Sequence, residues 1–376
     1  MLALNEERRM LVESVRDIAE SEFAERAGTW QGAKPWENLE LLADRGFLGI
    51  SLPEAHGGGG MSEFDAILLQ ETVGRVCPDT AYALPDMGAS RAIAMFGSEA
   101  VKERYLPPVC AGEDHVAIAI SEPEAGSDVP SMETRVEEVD GELVLNGEKI
   151  WVSGVDEASA AVVWAKFPEG LGTLVLDLDA AGVEIGQHFT NMFGHTQTQF
   201  FMNDVVVPEE NVLTRGSDAF KEQLKALNWE RLGNAALSNA TAMCVFDMAL
   251  DYAGQREQFG QPIGDFQGIE WKLADMAKQI QTSRNQTYAA AGAAEQAGGV
   301  PDRLSTHIAN LWSGEILEEV ASEALQIHGA NGYQRGHPIE YFYRFARSRR
   351  IAAGTDEIQK NTIARVLKTD GLPSLL

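Results

Sequence analysis

The chain has 376 residues, 44% of them apolar, and a formal net charge of −27. The length exceeds what one ordinary core requires, so two or three domains are expected. The charge argues against a nucleic-acid partner, because a phosphate backbone is held by clustered Lys and Arg, and it obliges an anionic ligand to find a local basic pocket.

The sequence contains no run of about 18 uncharged apolar residues, and Glu6 and Glu7 precede the first apolar stretch, so neither a membrane span nor a secretory leader is expected. The expected compartment is the cytoplasm. Cys77, Cys110 and Cys244 are odd in number, far apart and outside any C-x-x-C, and read as reduced, mostly buried residues. The seven histidines show no metal-ligand spacing, and no metal site is expected.

In chain order, residues 6–76 have helical periodicity, with Leu11, Val15, Ile18, Ala19 and Phe23 at three- and four-residue spacing. Gly57, Gly58, Gly59 and Gly60 interrupt it as a loop, and no Gly-Lys-Ser/Thr follows to make that loop a phosphate cradle. Helical pattern resumes over residues 81–96 and 98–105 and ends at Pro107-Pro108. Short alternating segments begin near His115. Residues 136–139 and 142–145 flank Asp140-Gly141, a hairpin signal, and further strands are expected at 162–165, 173–177, 183–185 and 199–207. From about residue 215 the pattern is helical again, with long amphipathic segments at 218–255, 266–296, 301–329 and 356–369, the mark of a bundle. The fold class is therefore α+β: a helical domain over 1–114, a β domain over 115–214 and a helical bundle over 215–376.

Two stretches carry chemistry. Ser121-Glu122-Pro123-Glu124-Ala125-Gly126-Ser127-Asp128 follows the first strand, and its small residues let backbone N–H groups approach a ligand; taken alone it is equally a plain turn. Asn146-Gly147-Glu148-Lys149-Ile150-Trp151-Val152-Ser153-Gly154 places an aromatic ring and a hydroxyl two residues apart, on one face of a strand. That suits a flat heteroaromatic cofactor, although Trp151 fits a core equally well.

Together these stretches closely resemble the acyl-CoA dehydrogenase family. The likeness continues through Gln255-Arg256-Glu257-Gln258-Phe259-Gly260, Phe266-Gln267, Gln326-Ile327-His328-Gly329-Ala330 and Gly354-Thr355-Asp356-Glu357, and spans essentially the whole chain. The resemblance implies an N-terminal helical domain, a middle β-barrel domain and a C-terminal four-helix bundle. It implies a homotetramer with one FAD per subunit, held between domains and across a subunit boundary, an acyl-CoA substrate, and an electron-transfer flavoprotein as electron acceptor. By position Ile118, Ser121, Ser127, Trp151 and Ser153 would hold the isoalloxazine end. Arg256, Gln258, Phe266, Gln267, Gln326, Gly329, Ala330, Thr355 and Glu357 would hold the pyrophosphate and adenosine end. Ser127, Asn228, Arg231, Ala353 and Gly354 would face the substrate.

The chemistry needs a carboxylate to take the proton next to the thioester carbonyl, donors for the carbonyl oxygen, and a hydride acceptor. Common family members place the carboxylate directly before the Gly-Thr of the last motif, and here that residue is Ala353. Its backbone N–H can still serve the carbonyl oxygen. A minority, resembling isovaleryl-CoA and long-chain acyl-CoA dehydrogenases, carry the Glu on the first bundle helix just before an Arg, and Glu230-Arg231 matches that pattern. Glu230 is thus the expected base, for α,β-dehydrogenation of an acyl-CoA to the trans-2-enoyl-CoA. The opposing reading makes Glu230 a helix residue paired with Arg231 or Lys225. The chain would then be a base-less or half-active subunit of a mixed assembly. Residues 240–244 also resemble crotonobetainyl-CoA reductase-like members, which leaves the direction of reaction open. A nitroalkane oxidase-like activity would need an Asp at the base position, and neither Glu230 nor Ala353 is one. Arg344, Arg347, Arg349 and Arg350 form the densest basic cluster of the chain, open to a phosphate or to a subunit contact. Residues 194–199 are polar where an Arg-containing stretch is more usual.

Overall fold

A computed structural model describes residues 4–373; the first three residues, where the leader was sought, and the last three lie outside it. The N-terminal helices are α1 (Glu6–Ile18), α2 (Trp36–Asp44), α3 (Glu63–Val76), α4 (Pro78–Tyr82), α5 (Ala89–Phe96) and α6 (Glu99–Cys110). Asn5 caps α1, accepting from the Arg8 N–H at 2.9 Å, and Glu6 and Glu7 complement the helix dipole. α6 runs through Pro107 and Pro108, where the sequence suggested a stop. Each proline lacks the N–H that would bond four residues back, and burial of Tyr105, Leu106 and Val109 in the same turns offsets that loss.

The strands are β1 (Val116–Ala119), β2 (Arg135–Val139), β3 (Glu142–Ser153), β4 (Ala160–Phe167), β5 (Gly170–Asp177), β6 (Val183–Thr190), β7 (Thr196–Val207) and β8 (Val212–Thr214). They form one eight-stranded sheet in the order β6-β7-β3-β2-β4-β5-β8, with β1 parallel to β4. The Asp140-Gly141 hairpin is present: Asp140 (φ 53°) and Gly141 (φ 86°) both take the left-handed backbone that a tight primed turn requires. After the sheet come α7 (Ala219–Gln255), a small hairpin of β9 (Glu257–Gln258) and β10 (Gln261–Pro262), then α8 (Gln267–Gln296), α9 (Arg303–His328), α10 (Pro338–Ser348) and α11 (Asp356–Asp370). α10 is a helix that the sequence reading passed over. Pro338 opens it, the His337 ring accepts from the Ile339 N–H, and it buries Ile339, Phe342, Phe345 and Ala346 at helical spacing.

The described residues divide into two compact units, one of 36–62 and 84–229, the other of 4–35, 63–83 and 230–373. In the first, β4, expected as part of a series of short alternating segments, is buried along its whole apolar run because both of its faces are covered. Ala160 and Val162 pack with α5 and α6, while Ala161, Val163 and Ala165 point the opposite way into a core with Leu145, Phe200 and Met202. Within this unit the four-glycine loop is a packing feature. A Cβ on Gly58 would lie 2.3 Å from the Leu52 carbonyl oxygen, and one on Gly59 2.8 Å from that of Ile50.

Asp86 is buried in the same unit, where it accepts from the Ser51 N–H at 2.8 Å and the Ser51 hydroxyl at 3.0 Å, and its Oδ2 has no partner. Burial raises its pKa to about 6 against the Ser51 bonds. Between pH 4 and 6 the unfolded chain releases this proton before the native one does, so the group lowers stability as pH rises through that window. Asp86→Asn is therefore expected to stabilise the protein at pH 7.5 by roughly 1–3 kcal/mol and to give no gain at pH 4, as read by denaturant titration at both pH values.

The second unit is helical. α9 packs against α8, α10 and α11, and α3 against α1 and α8. α7 and α8 are joined by a buried polar ladder: Asn239 Nδ2 donates to Thr287 Oγ1 at 2.9 Å, and Ser283 Oγ donates to Asn239 Oδ1 at 2.6 Å. The three cysteines are reduced and buried. Among the described residues no helix is long and apolar enough to cross a membrane, and no cluster of His, Cys, Asp and Glu could hold a metal.

Candidate active site

In the sheet unit, a buried ion pair shapes the loop after β1. Lys149, fully buried on β3, donates to the Ile120 carbonyl at 3.0 Å and to Glu122 Oε1 at 2.8 Å. Glu122 also accepts from the backbone N–H groups of Glu133 and Thr134. Burial raises the Glu122 carboxyl, but these donors outweigh it and hold its pKa below the usual value; burial lowers the Lys149 ammonium to about 8. Ile150 N–H donates to the Ser121 carbonyl at 3.0 Å, and Glu122 and Ala125 exchange both backbone bonds. The segment containing Ser121 and Ser127 is thereby pre-shaped, with Ser127 exposed and Ser121 half-buried. Ile118, on β1 opposite Val162, is partly buried.

Trp151 is no core residue. Half its surface is exposed, with Val152 buried beneath and Ser153 partly exposed beyond, so the ring and the hydroxyl both face outward. Its φ is 61°, at a register shift between β3 and β7, and Gln197 Nε2 on β7 donates to its carbonyl at 3.2 Å. The ring rests on Phe189 with centroids 4.5 Å apart. Gln197 lies in the polar stretch at 194–199, so one task of that stretch is to hold the strained Trp151 backbone. Lys149, Glu122 and Gln197 were not singled out from sequence. The signal available was a lone Lys149 beside the apolar Ile150 in an extended segment.

In the helical unit, Glu230 begins the α7 segment that belongs there. Its Oε2 is buried and has no hydrogen-bond partner among the described residues. Burial raises its pKa, with Arg231 and Arg349 pulling the other way. Lys225, a suggested partner, pairs instead with Glu222 at 2.7 Å. Arg231 is buried, its pKa lowered by burial against Glu230, and its Nε donates to the Ala353 carbonyl at 3.2 Å. Gln359 Nε2 donates to the same carbonyl at 3.2 Å and to that of Gly354 at 2.8 Å, while its own amide oxygen meets His307. Burial, then Arg231, lowers the His307 pKa to about 4, which leaves the ring neutral near pH 7. These contacts fix Ala353 at φ 56° and Gly354 at φ 99°. Among the described residues the Ala353 N–H donates to no protein acceptor. The structure thus ties Arg231, which follows Glu230 on α7, to the Ala353–Gly354 backbone through the Ala353 carbonyl and Gln359. Asn228 is buried two residues before Glu230 in the sequence.

The positions expected for the cofactor's far end lie at the exposed rim of the helical unit. Arg256, Gln258, Gln267, Gln326, Gly329, Ala330 and Glu357 are exposed, and Phe266 and Thr355 half-buried. Phe259 is 96% and Tyr333 74% exposed. Thr355 caps α11, accepting from the Ile358 N–H at 3.4 Å. The basic cluster is largely consumed internally. Arg344 pairs with Glu340, and Arg350 with Glu318 and Asp356, which leaves little of it for a phosphate.

Three domain families cover the chain: acyl-CoA dehydrogenase N-terminal domain over residues 5–113, middle domain over 117–205 and C-terminal domain over 219–368. The chain belongs to the acyl-CoA dehydrogenase family. It is 33% identical to a probable acyl-CoA dehydrogenase of Bacillus subtilis over 97% of this chain and 98% of the relative. It is 31% identical to the CarC subunit of the caffeyl-CoA reductase-Etf complex of Acetobacterium woodii, over 96% and 98%. Butyryl-CoA dehydrogenase of Megasphaera elsdenii superposes with a TM-score of 0.89 at 28% identity, covering 98% of this chain and all of that one. The three-domain fold, with its middle strands in the sheet described above, is that of the family, and the protein is an oxidoreductase whose cofactor is FAD. The residues present fit that cofactor: an outward aromatic face on Trp151, a hydroxyl on Ser153 and the pre-shaped Ser121 loop suit a flat heteroaromatic ring.

Proposed function

We propose that this family member removes two hydrogens from an acyl-CoA thioester to give the trans-2-enoyl-CoA, with Glu230 as the base. The observation that carries the reading is the buried Oε2 of Glu230, without a partner among the described residues, on the helix position just before Arg231, whose side chain holds the Ala353 carbonyl. A carboxylate so desolvated is a stronger base than a solvated one, and Arg231 and Arg349 act against the desolvation in favour of its charged form. Arg231 and Gln359 together hold the Ala353–Gly354 backbone, and the Ala353 N–H donates to the thioester carbonyl as charge develops on its oxygen. Trp151 and Ser153 hold the isoalloxazine, and Arg256, Gln258, Gln267 and Gln326 the opposite end. FAD, when bound, supplies the hydride acceptor. The exposed Phe259 and Tyr333 support the further reading that a second copy of the chain covers this rim, as in a homotetramer. Electron-transfer flavoprotein is the proposed acceptor.

Anaerobic titration with straight and branched saturated acyl-CoAs tests this reading: one of them is expected to bleach the visible flavin band, and a band that none of them bleaches contradicts it. The reductase among the relatives favours a second reading in which the same groups work in reverse, Glu230 returning the proton. A reduced enzyme reoxidised by an enoyl-CoA far faster than any acyl-CoA reduces it would select that direction. Trp151→Ala is expected to lose FAD on gel filtration or bind it at least about tenfold more weakly, since aromatic stacking contributes roughly 1–3 kcal/mol. Full flavin occupancy in that variant, measured by absorbance after desalting, would remove Trp151 from the site.

A further inference from the structure

Arg349 differs from its neighbours. Arg344, Arg347 and Arg350 each face a carboxylate within 4 Å. Arg349, at the C-terminal end of α10, is buried, and its Nε and Nη1 have no hydrogen-bond partner among the described residues. Its guanidinium lies over the rings of Tyr82 and Phe345, 5.4 Å from each centroid. Aromatic faces attract a cation but accept no strong hydrogen bond from its edge, so the donors remain unsatisfied. Among the described residues the carboxylate that favours its charged form is Glu230, whose Oε2 likewise has no partner there. Four residues further on lies Ala353, tied to Arg231 beside that same Glu230. A buried guanidinium with idle donors is costly to keep, and it becomes favourable when a ligand brings an anion to it.

We propose that Arg349 is a specificity residue that binds an oxyanion carried by the acyl group of the substrate, so that the enzyme selects acyl-CoAs bearing a terminal carboxylate over their methyl-terminated counterparts. The proposal rests on the Glu230 site being the acyl site. It goes beyond that reading by naming the substrate class. Arg349 is fixed by its aromatic bed, so the anion must come to it. A methyl-terminated chain of equal length would leave the guanidinium as unsatisfied as before and would forgo the charge-assisted bonds.

Calorimetric titration of the FAD-loaded Glu230→Gln protein with length-matched pairs tests the proposal without turnover: pentanoyl- and glutaryl-CoA, hexanoyl- and adipyl-CoA, octanoyl- and suberyl-CoA. At least one dicarboxylic monothioester is expected to bind about 10–100-fold more tightly than its methyl-terminated match, the range of charge-assisted hydrogen bonds. Adding Arg349→Met removes the preference, and Arg349→Lys keeps part of it. The Lys variant carries the comparison if the Met variant does not fold. No preference in any pair, or a preference that survives Arg349→Met, overturns the proposal. Bleaching of the flavin by an acyl-CoA in the Glu230→Gln background would instead refute Glu230 as base, while the binding comparison would still decide the role of Arg349.

Discussion

Glu230→Gln is expected to slow acyl-CoA-dependent flavin reduction about 10²–10⁴-fold, the usual worth of a positioned general base. The amide keeps the shape of the side chain and cannot take a proton, so FAD content and acyl-CoA affinity should change little. The pH dependence follows from the same residue. Its pKa is raised by burial, so the ionised, active base appears only above the ordinary carboxylate range. The rate of reduction in the native protein therefore rises with pH along a limb lying above pH 4.5, and that limb disappears in the variant. Stopped-flow reduction across pH 5–9 reads both effects. A variant that reduces its flavin at the native rate would return Glu230 to the role of a helix residue.

Lys149→Met is expected to cost about 3–5 kcal/mol, because it leaves the Glu122 carboxylate buried without its cation. The loss should be local in its consequences as well. Lys149 and Glu122 shape residues 120–134, the loop that carries Ser121 and Ser127, so the variant that still folds is expected to hold FAD poorly. Thermal denaturation of the flavin-free protein separates the two effects, with Tm falling by several degrees before any cofactor is added. Glu122→Gln with Lys149→Met, which removes both charges, should recover part of the stability. An unchanged Tm in the single variant would show that the pair is dispensable.

The order of helices, strands and helices was legible because each uses a different apolar period, and the Asp140-Gly141 turn because only a few residue pairs tolerate two left-handed positions. α10 was missed because its Arg residues dominated the reading of 344–350, although Ile339, Phe342, Phe345 and Ala346 keep helical spacing. The basic cluster looked available because sequence shows charge but not partners: Glu318, Glu340 and Asp356 sit up to 32 residues away from the arginines they neutralise. Glu230 and Ala353 were visible as a motif. The contacts that hold the Ala353 carbonyl, from Arg231 and Gln359, depend on tertiary structure and could not be read from spacing. The same holds for Gln197, whose hold on Trp151 crosses two strands, and for Arg349, whose idle donors are a property of its surroundings.

The central claim is that Glu230 moves the proton next to the thioester carbonyl. The most direct measurement is incorporation of solvent deuterium at that carbon, followed by mass spectrometry, for the native protein and Glu230→Gln incubated anaerobically in D₂O with an acyl-CoA that both bind. The account predicts label in the presence of the native protein and none above background with the variant. Equal incorporation by the two would contradict it.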